Sequence, residues 1–294
     1  PLLIWSPNGW DGMPQLKWKL LEQIVPGDIA VIDRTPVVLW PSRNLSLETF
    51  TPQSPHYRTQ IKILPKTLTC NLAEILGALL AEGTISAKKI EFCNSDKTWI
   101  DRFINSWQRT FPDCRLHVFS KKPSSYGKKP YWRLEIHSLY IVEFLKNLGL
   151  GPVKSPTRTI PHTILRSPKS VAAAFLSAYF EGDGSISSAP KMVELSAIST
   201  SEELIHQLQI ILLRFGIVGT KRFDSYRNTH KLYLRGLKNY RLFASEINFL
   251  SDRKRSKLEK VLLRIQKDSS ILDSVPFLSE YIRRQLDQQL SYSK

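Results

Sequence analysis

The chain has 294 residues, and its 42 lysines and arginines against 26 aspartates and glutamates give a formal net charge of +16. This length suits two or three compact units, and the charge favours a polyanionic partner, most commonly nucleic acid. Membrane association is disfavoured because no apolar run approaches the roughly 18 residues of a membrane-spanning helix. Three scattered cysteines argue against a disulfide scaffold and a cysteine zinc site, and the opening residues do not form a signal peptide. We therefore expect an intracellular, cytoplasmic protein.

Residues 1–66 are predicted to form an N-terminal extension that is rich in tryptophan, proline and short apolar runs. Within it, Leu16–Arg34 predicts a helix or strand, then a Pro-Gly turn, then a strand at Ile29–Ile32. This piece resembles part of an intein splicing domain. The chain begins with Pro1 rather than methionine, which suggests a processed product or an excised domain.

Two apolar segments about a hundred residues apart share one pattern, ILGALLAEG at Ile75–Gly83 and LSAYFEGDG at Leu176–Gly184. Each predicts a helix with two small residues one turn apart, and these form a flat stripe on which two helix backbones can pack closely. The small residues are Gly77 and Ala81 in the first segment and Ala178 and Gly182 in the second. We expect Gly83 and Gly184 to end the helices in the left-handed conformation.

An acidic residue precedes each terminal glycine, and the two acids, Glu82 and Asp183, would then stand side by side. A carboxylate in the last turn faces the negative end of the helix dipole, and two adjacent carboxylates repel each other. Mg²⁺ relieves both problems, because it takes carboxylate, carbonyl and water ligands. We predict a metal site formed by Glu82, Asp183 and the backbone of Ala81 and Gly182, which Mn²⁺ or Ca²⁺ can also occupy. The alternative is two ordinary buried helices with solvent-exposed acids at their ends.

The chain beyond the N-terminal extension predicts one αββαββα pattern used twice, which implies pseudo-two-fold symmetry. The first copy comprises the helix ending at Glu82, strands within Thr84–Cys93, the helix Asp96–Phe111, the strands Arg115–Phe119 and Tyr131–His137, and the helix Leu139–Leu148 capped by Gly149. The second comprises the helix ending at Asp183, strands within Ser185–Ala197, the helix Ser201–Phe215 ended by Gly216, the strands Val218–Asp224 and Lys231–Arg235, and the helix Tyr240–Ile247. Two unrelated α+β domains are the alternative.

Four regions are therefore predicted: the extension at 1–66, a first half at 67–166, a second half at 167–268 and a C-terminal tail at 269–294. The tail contains an amphipathic stretch, Leu278–Leu290, which we expect to form a terminal helix docked on the body.

The two apolar segments resemble the paired signature helices of the LAGLIDADG family of homing endonucleases. Asp183 stands where the family has its metal-binding acid, and Glu82 takes that place in the first copy with a side chain one methylene longer. The resemblance covers about residues 68–266. It implies an α+β fold, a pseudo-two-fold pair of αββαββα units with saddle-shaped antiparallel DNA-binding sheets, beside the small, mostly-β N-terminal extension.

The same resemblance implies a monomeric, site-specific endonuclease that binds a long asymmetric stretch of double-stranded DNA. Its two acids would hold divalent metal between two scissile phosphates, and both strands would be cut across the minor groove. No motif of a rival active site occurs: the chain has no H-E-x-x-H, no P-loop and no G-x-S-x-G.

In LAGLIDADG enzymes from inteins, a lysine near each site is implicated in cleavage. Lys154 lies 72 residues after Glu82 (154 − 82), and Lys254 lies 71 residues after Asp183 (254 − 183). This matched spacing is what a duplicated unit gives, so we assign the role to Lys154 and Lys254. With 42 basic residues in the chain, a phosphate-anchoring or solvated lysine is the alternative for either one.

Alternation along the predicted strands separates an apolar face from a polar, aromatic and basic face. Such a face suits the major groove, where arginine and lysine read guanine; a simply solvated outer face is the alternative. Two loops at 120–129 and 223–231 occupy matching places in the two halves and would extend the contact. The candidate DNA contacts are Arg115, His117, Lys121, Lys122, Lys128, Lys129, Tyr131, Arg133, Lys221, Arg222, Tyr226, Arg227, Lys231, Tyr233 and Arg235.

Two other functions stay open. One is a protein-splicing element, because SSILDSVPF at 269–277 is similar to sequence that follows nuclease insertions in inteins. Splicing needs a nucleophile at the first residue and a terminal His-Asn pair, whereas this chain starts with Pro1 and ends in SYSK, so we expect an intein origin rather than splicing by this chain. The other is an RNA maturase or transcription factor that keeps the fold without catalysis, against which the presence of both acids argues.

Overall fold

The structure is a computed structural model that describes residues 1–6, 15–34, 40–53, 59–123, 129–189, 192–265 and 278–291. Lys128 and the segment 269–277, both singled out in the sequence, lie outside these ranges. The chain divides into two compact units, one of Pro36–Asp268 and one of Pro1–Thr35 with Ser269–Lys294. Residues 40–66, which we expected in the N-terminal extension, therefore group with the larger unit, and the tail groups with the first 35 residues.

The smaller unit contains a three-stranded antiparallel sheet in the order β2-β1-β3. Its strands are β1 (Leu2–Ser6), β2 (Gln15–Lys19) and β3 (Ile29–Ala30). Strand β3 is two residues shorter than the predicted strand Ile29–Ile32. The expected Pro-Gly turn precedes β3, and Gly27 adopts a positive φ of 100° there. Asp28 fixes the turn, because its carboxylate accepts hydrogen bonds from the Val25 amide at 2.9 Å and from Lys19 Nζ at 2.8 Å.

The first half of the larger unit has the predicted αββαββα order. Its elements are α1 (Cys70–Glu82), β4 (Gly83–Ile85), β5 (Ile90–Asn94), α2 (Lys97–Thr110), β6 (His117–Lys121), β7 (Tyr131–Ile136) and α3 (Leu139–Asn147). The four strands form an antiparallel sheet in the order β4-β5-β7-β6. A short helix, α4 (His162–Leu165), follows before the second half.

The second half repeats this order. Its elements are α5 (Lys169–Asp183), β8 (Gly184–Ala189), β9 (Met192–Ser199), α6 (Glu202–Leu213), β10 (Gly219–Asp224), β11 (Thr229–Leu234) and α7 (Leu237–Glu246), followed by α8 (Asp252–Arg264). The sheet order β8-β9-β11-β10 matches that of the first half strand for strand. The predicted α+β fold with two αββαββα units is confirmed. The tail helix, α9, spans Leu278–Ser291.

Local sequence signals set the helix ends. The side chains of Thr69, Asp96, Ser138, Ser201 and Ser251 each accept a hydrogen bond from the amide three residues later, which satisfies one of the unpaired donors at a helix start. Gly149 and Gly216 follow α3 and α6 with positive φ angles of 97° and 76°, as expected for left-handed helix ends.

The signature helices end differently from our prediction. Gly83 and Gly184 have φ angles of −88° and −84°, so they are extended and not left-handed. Glycine is needed here for space: a Cβ would lie 2.5 Å from the Leu79 carbonyl oxygen at the first position and 2.4 Å from the Phe180 carbonyl oxygen at the second. The chain therefore passes directly from each helix into the first strand of its half.

Apolar side chains on one face of each sheet form the core with the helices. In the first half Phe92 stacks on Phe103 with ring centroids 4.4 Å apart, and Leu134 and Ile136 of β7 are fully buried beside it. In the second half Leu232 and Leu234 of β11 are fully buried. We call the opposite side of each sheet its open face.

Residues 40–67 contact both halves. Leu45 and Leu47 form backbone hydrogen bonds with Leu68 and Lys66, and Leu47 is buried in the core. Trp40 packs on the end of α6, with Arg214 3.7 Å above its ring. The corresponding contacts to the first half are hydrogen bonds from Asn147 to the Phe50 carbonyl at 3.0 Å and from the Ile63 amide to Asp113 at 3.1 Å.

Among the described residues, no helix combines the length and the apolar character that crossing a membrane requires.

Candidate active site and nucleic-acid interface

Helices α1 and α5 pack against each other along the predicted stripe of small residues. A Cβ on Gly77 would lie 2.3 Å from the Phe175 carbonyl oxygen and 3.1 Å from Ala178 Cβ. A Cβ on Gly182 would lie 2.5 Å from Ala81 Cβ. Each contact thus sets a glycine of one helix against an alanine of the other, and the backbones approach closely.

This packing brings Glu82 and Asp183 together at the ends of the two helices. Burial, followed by the negative charge of Glu82, raises the pKa of Asp183 to about 7. Desolvation also raises the pKa of Glu82, against the opposing effect of Lys254, although the Glu82 side chain stays exposed to solvent. The two carboxylates therefore repel each other in a confined place, where a cation would stabilise both of them.

Tyr179 lies one helical turn before Asp183 and is completely buried. Its hydroxyl forms no hydrogen bond of ordinary geometry with the described residues, but it interacts with the Asp183 carboxylate, which is an acceptor for it. Burial, followed by the charge of Asp183, raises the pKa of Tyr179 well above its usual value, so the hydroxyl stays protonated beside that carboxylate.

A basic side chain caps the carbonyl oxygens at the end of each signature helix. Lys254 is buried, and its Nζ donates to the carbonyls of Phe180 at 3.2 Å, of Gly184 at 2.7 Å and of Glu181. Arg158 does the same at α1, where its guanidinium donates to the carbonyls of Leu80 at 2.8 Å and of Gly83 at 3.5 Å.

The lysine pair predicted from the spacing is only partly brought to the site. Lys254 is there, and desolvation lowers its pKa. Lys154 is exposed, four residues before Arg158 on the wall of a shallow pocket that contains Gly83, Leu80 and Arg158. Arg158, and not Lys154, therefore occupies the place in the first half that Lys254 occupies in the second.

The two cations are held by different supports. The Glu181 carboxylate accepts hydrogen bonds from the Leu250 and Ser251 amides at 2.9 and 3.0 Å and from Ser251 Oγ at 2.6 Å, which fixes the start of α8 and so Lys254. The Arg158 carbonyl accepts a hydrogen bond of 2.7 Å from Ser201 Oγ at the start of α6. The cation of the first half is thus held by the second half.

The oxygen atoms at the two helix ends are suitable ligands for a cation such as Mg²⁺. Within the described ranges no group of three or more His, Cys, Asp or Glu side chains forms a metal site, so the two carboxylates stand without a third such ligand. The carbonyls of Ala81 and Gly182 belong to the last turns of α1 and α5, where the helix supplies no further amides to accept from. One or two carboxylates, backbone oxygens, water and substrate phosphate are the ligand set that Mg²⁺ accepts.

The strand register places several candidate DNA contacts on the open face of the first sheet. His117, Phe119 and Lys121 of β6 pair with Glu135, Arg133 and Tyr131 of β7, and paired residues share a face. Arg115, Lys122 and Lys129 are exposed beside these strands.

The second sheet has a corresponding open face. Arg222 of β10 pairs with Lys231 of β11, and Tyr233 lies on the same face with the Arg235 guanidinium 4.6 Å from its ring centroid. Tyr226 and Arg227 are exposed in the turn between the strands. Lys221 is on the other face, where its Nζ lies 3.5 Å from His206 Nδ1 of α6, so the register does not bring it together with the others.

Sequence reasoning missed several side chains at these sites. Arg158 and Tyr179 gave no spacing signal, because the first follows an irregular connection and the second belongs to an apolar helix. Carboxylates also lie on the open faces, Glu91 and Glu135 in the first sheet and Glu194 and Asp224 in the second, and only the alternation of the strands could have pointed to them as site residues.

The chain is similar to segments of several curated proteins. It is 29% identical over 280 residues to a DNA gyrase of Mycobacterium malmoense, and the match covers 93% of this chain and 52% of that protein. It is 28% identical to the replication factor C small subunit of Methanocaldococcus jannaschii, over 96% of this chain and 13% of that protein. Glutamine–fructose-6-phosphate aminotransferase of the same organism is 26% identical over 78% of this chain and 20% of its own length. The chain spans about half the length of the gyrase proteins it matches.

Several solved structures are similar at low identity, and two of them show the extent of the similarity. The crystal structure of full-length DUF199/WhiA from Thermatoga maritima has a TM-score of 0.47 and 17% identity, and the similarity covers 83% of this chain and 75% of that chain. The crystal structure of I-DmoI in complex with DNA and Mn has a TM-score of 0.44 and 13% identity, covering 60% of this chain and 96% of that chain.

The family-model comparison concerns the second half of the chain. The match covers residues 170–248, which run from α5 to just beyond α7 and include Asp183 and the whole second sheet. The model that these residues match is that of the LAGLIDADG-like domain.

Proposed function

We propose that this chain is a site-specific double-strand DNA endonuclease that depends on a divalent metal. The observation that carries the proposal is the meeting of Glu82 and Asp183 where two closely packed helices end, with a cation capping each end. A pair of repelling carboxylates beside two fixed positive charges suits a reaction on a phosphodiester, whose transition state gains negative charge.

Each side chain has a defined task in this mechanism. Glu82 and Asp183, with the carbonyls of Ala81 and Gly182, would hold the metal, which when bound supplies activation of water and charge neutralisation at the phosphate. Lys254 and Arg158 hold the helix ends rigid and place positive charge beside the two acids. Lys154, on the pocket wall next to Arg158, remains a candidate for phosphate contact.

The two open faces would bind double-stranded DNA in adjacent major grooves. Because one chain supplies both halves, we propose that it acts as a monomer. Residues at matching positions differ: Phe119 and Arg133 form the central pair in the first sheet, whereas Arg222 and Lys231 form it in the second. A target with two different half-sites follows from this difference.

Selection of cut sites from a random duplex library in Mg²⁺ tests the proposal directly. We expect the chain to cut a defined long sequence, and we expect Asp183→Asn and Glu82→Gln each to reduce the rate at least about a thousandfold with site binding kept. Asp101→Asn on α2 is the matched control, since it removes an exposed carboxylate paired with Lys97. Undiminished cutting by Asp183→Asn would refute the role of that residue.

A non-cutting binder of the same fold predicts a different result in this experiment. Such a protein would select and shift the same duplex, with no Mg²⁺-dependent nicking in the wild type. The raised pKa of Asp183 favours the cutting enzyme, because a pure binding surface gains nothing from two confined acids.

We also propose that the chain derives from an intein. A segment of similar length matches parts of a gyrase, a replication factor and an aminotransferase, whose named activities have nothing in common. Such a distribution favours an inserted element over a part of any one host activity. Sequencing of the flanking reading frame tests this proposal. It would be overturned if the sequences on the two sides did not encode the two parts of a host protein.

A further inference from the structure

We propose that Glu135 and Glu194 are specificity-determining residues of the DNA-binding faces, each restraining the central cation of its sheet so that the cation binds a guanine edge and not any passing phosphate. The inference rests on the proposed function, since it concerns how the same protein selects DNA.

The carboxylates stand in an electrostatically unfavourable place. Both side chains are on open faces, and each is only 12% exposed. A carboxylate on a surface that meets DNA repels phosphate and lowers affinity for every sequence. Glu91 lies on the same face as Glu135 and pairs with Lys89, whereas Glu135 and Glu194 pair with the central cations, so these two acids need an explanation of their own.

Each acid contacts the cation at the matching position of its sheet. Arg133 and Lys231 are equivalent by register, because each directly precedes the leucine that lies two strands across from the glycine ending the signature helix. That row is Gly83, Phe92 and Leu134 in the first sheet and Gly184, Ala197 and Leu232 in the second. Arg133 Nε lies 2.9 Å from Glu135 Oε1, and Lys231 Nζ donates to Glu194 Oε1 at 2.5 Å.

Glu135 has a cationic environment that keeps it charged. Partial burial acts to raise its pKa, but the hydrogen bond from His137 and the charges of Arg133 and Lys89 outweigh burial and lower it below the usual value. In the second sheet Glu194 also accepts a hydrogen bond of 3.2 Å from Ser196 Oγ, so its position is fixed from a second side.

The arginine in the first sheet keeps part of its side chain accessible. Its Nε is buried in the ion pair with Glu135, but 34% of the Arg133 side chain stays exposed on the open face, where it can meet an arriving acceptor. The O6 and N7 atoms of guanine are the acceptors that arginine and lysine contact in the major groove.

The pairing then discriminates between duplexes. On non-specific DNA the carboxylate repels the backbone and holds the cation near the sheet, so the cation contributes little. On the correct sequence the guanine edge supplies the acceptors and offsets that repulsion. Specificity of this kind depends on a repulsive element against wrong partners as much as on an attractive one for the right partner.

The test compares Glu135→Gln and Glu194→Gln with a matched control, Glu143→Gln on α3, which also removes a carboxylate paired with a lysine, Lys146. Affinities are measured in EDTA at one salt concentration, for the duplex that the wild type selects from a random library and for a random-sequence duplex of equal length. Melting temperatures establish that the variants fold.

Each sheet variant should bind the random duplex a few-fold more tightly, and its preference for the selected duplex should fall about tenfold, with the loss confined to one or two base pairs of one half-site. Tighter non-specific binding is not a consequence of structural damage. The inference is overturned if the sheet variants behave like Glu143→Gln. If the wild type itself prefers no duplex, the proposed function fails together with the inference.

Discussion

The two halves of the larger unit share their element order and strand order but differ at the site. The first half brings Glu82 and Arg158 to the end of α1, and the second brings Asp183 and Lys254 to the end of α5. The acids differ by one methylene, and the cations differ in shape and hydration, since a guanidinium is a planar fork and an ammonium a compact point charge. One duplicated architecture thus supports two chemically unequal sites.

The supports of the two cations differ as well. Lys254 is buried and anchored within its own half, through Glu181 and Ser251. Arg158 lies in the connection between the halves, and Ser201 of α6 holds its carbonyl. The second site is therefore complete in itself, whereas the first depends on the second half for its geometry.

Removing one cation at a time should separate the two sites most clearly. We expect Lys254→Met and Arg158→Met each to slow cleavage about a hundredfold to a thousandfold at one strand, because a positive charge fixed beside the reacting phosphate is lost. The two variants should slow cleavage of opposite DNA strands, so each variant should leave a product that is nicked in one strand. End-labelling both strands of the selected duplex measures the two rates separately.

Two further variants sharpen this comparison. Arg158→Lys should keep part of the activity at its strand, since it retains the charge but not the fork that bridges two carbonyls. Lys154→Met should change either rate only a few-fold. If Lys154→Met abolishes cutting of one strand and Arg158→Met does not, the cation of the first half is Lys154, as the spacing of the sequence suggested.

The sequence was a good guide to the signature helices and a poor one to the cation of the first half. The helices can be predicted from local signals, which are an apolar run with Gly77 and Ala81 one turn apart and an acid at the end. The role of Arg158 cannot be predicted in this way, because equal numbers of residues lead to equal positions only where the intervening structure is the same. Lys254 is the third residue of α8, whereas Arg158 is an extended residue after a single 3₁₀ turn.

Residues 40–66 show a second limit of the sequence. Their single tryptophan, prolines and short apolar runs suggested part of the N-terminal extension. Leu47 nevertheless belongs to the core of the larger unit, and Trp40 packs on Phe215 with ring centroids 4.9 Å apart. Such contacts join residues far apart in the chain, so no local periodicity reveals them.

The pH dependence of stability should distinguish the two acids. Asp183 has an ordinary pKa of 3.8 in the unfolded chain and about 7 in the folded one. Between these values the folded state keeps a proton that the unfolded state has released, so the free energy of unfolding falls as pH rises from about 4 to about 7. Asp183→Asn should therefore raise the free energy of unfolding at pH 8 by up to about 4 kcal/mol and leave it nearly unchanged at pH 4. Denaturant unfolding at the two pH values measures this.

Glu82→Gln serves as the internal comparison. The Glu82 residue is more exposed than Asp183, so we expect a smaller gain at pH 8 than for Asp183→Asn. Mg²⁺ should raise the melting temperature of the wild type more than that of either variant, since the ion compensates the repulsion between the two acids. Equal stability of the wild type and Asp183→Asn at pH 8 would mean that the charge of Asp183 does not destabilise the folded state.

The helix interface offers the smallest and most symmetric comparison, because each of its two close contacts sets a glycine against an alanine. Gly77→Ala and Gly182→Ala should each lower the free energy of unfolding by about 1–3 kcal/mol through overpacking. The obstacles differ, however. The new Cβ at residue 182 meets the Ala81 side chain at 2.5 Å, whereas at residue 77 it meets the Phe175 backbone oxygen at 2.3 Å.

Exchanging the partners should separate these two cases. Adding Ala81→Gly to Gly182→Ala removes the obstructing methyl group and should restore most of the lost stability, with Glu82 and Trp99 giving way slightly. Adding Ala178→Gly to Gly77→Ala removes only the atom at 3.1 Å and leaves the backbone oxygen in place, so stability should stay low. Both double variants contain the same residues in exchanged positions, which cancels helix propensity from the comparison. Equal recovery in the two would show that the backbones of α1 and α5 adjust freely, and the closeness of the two acids would then not be fixed by the stripe.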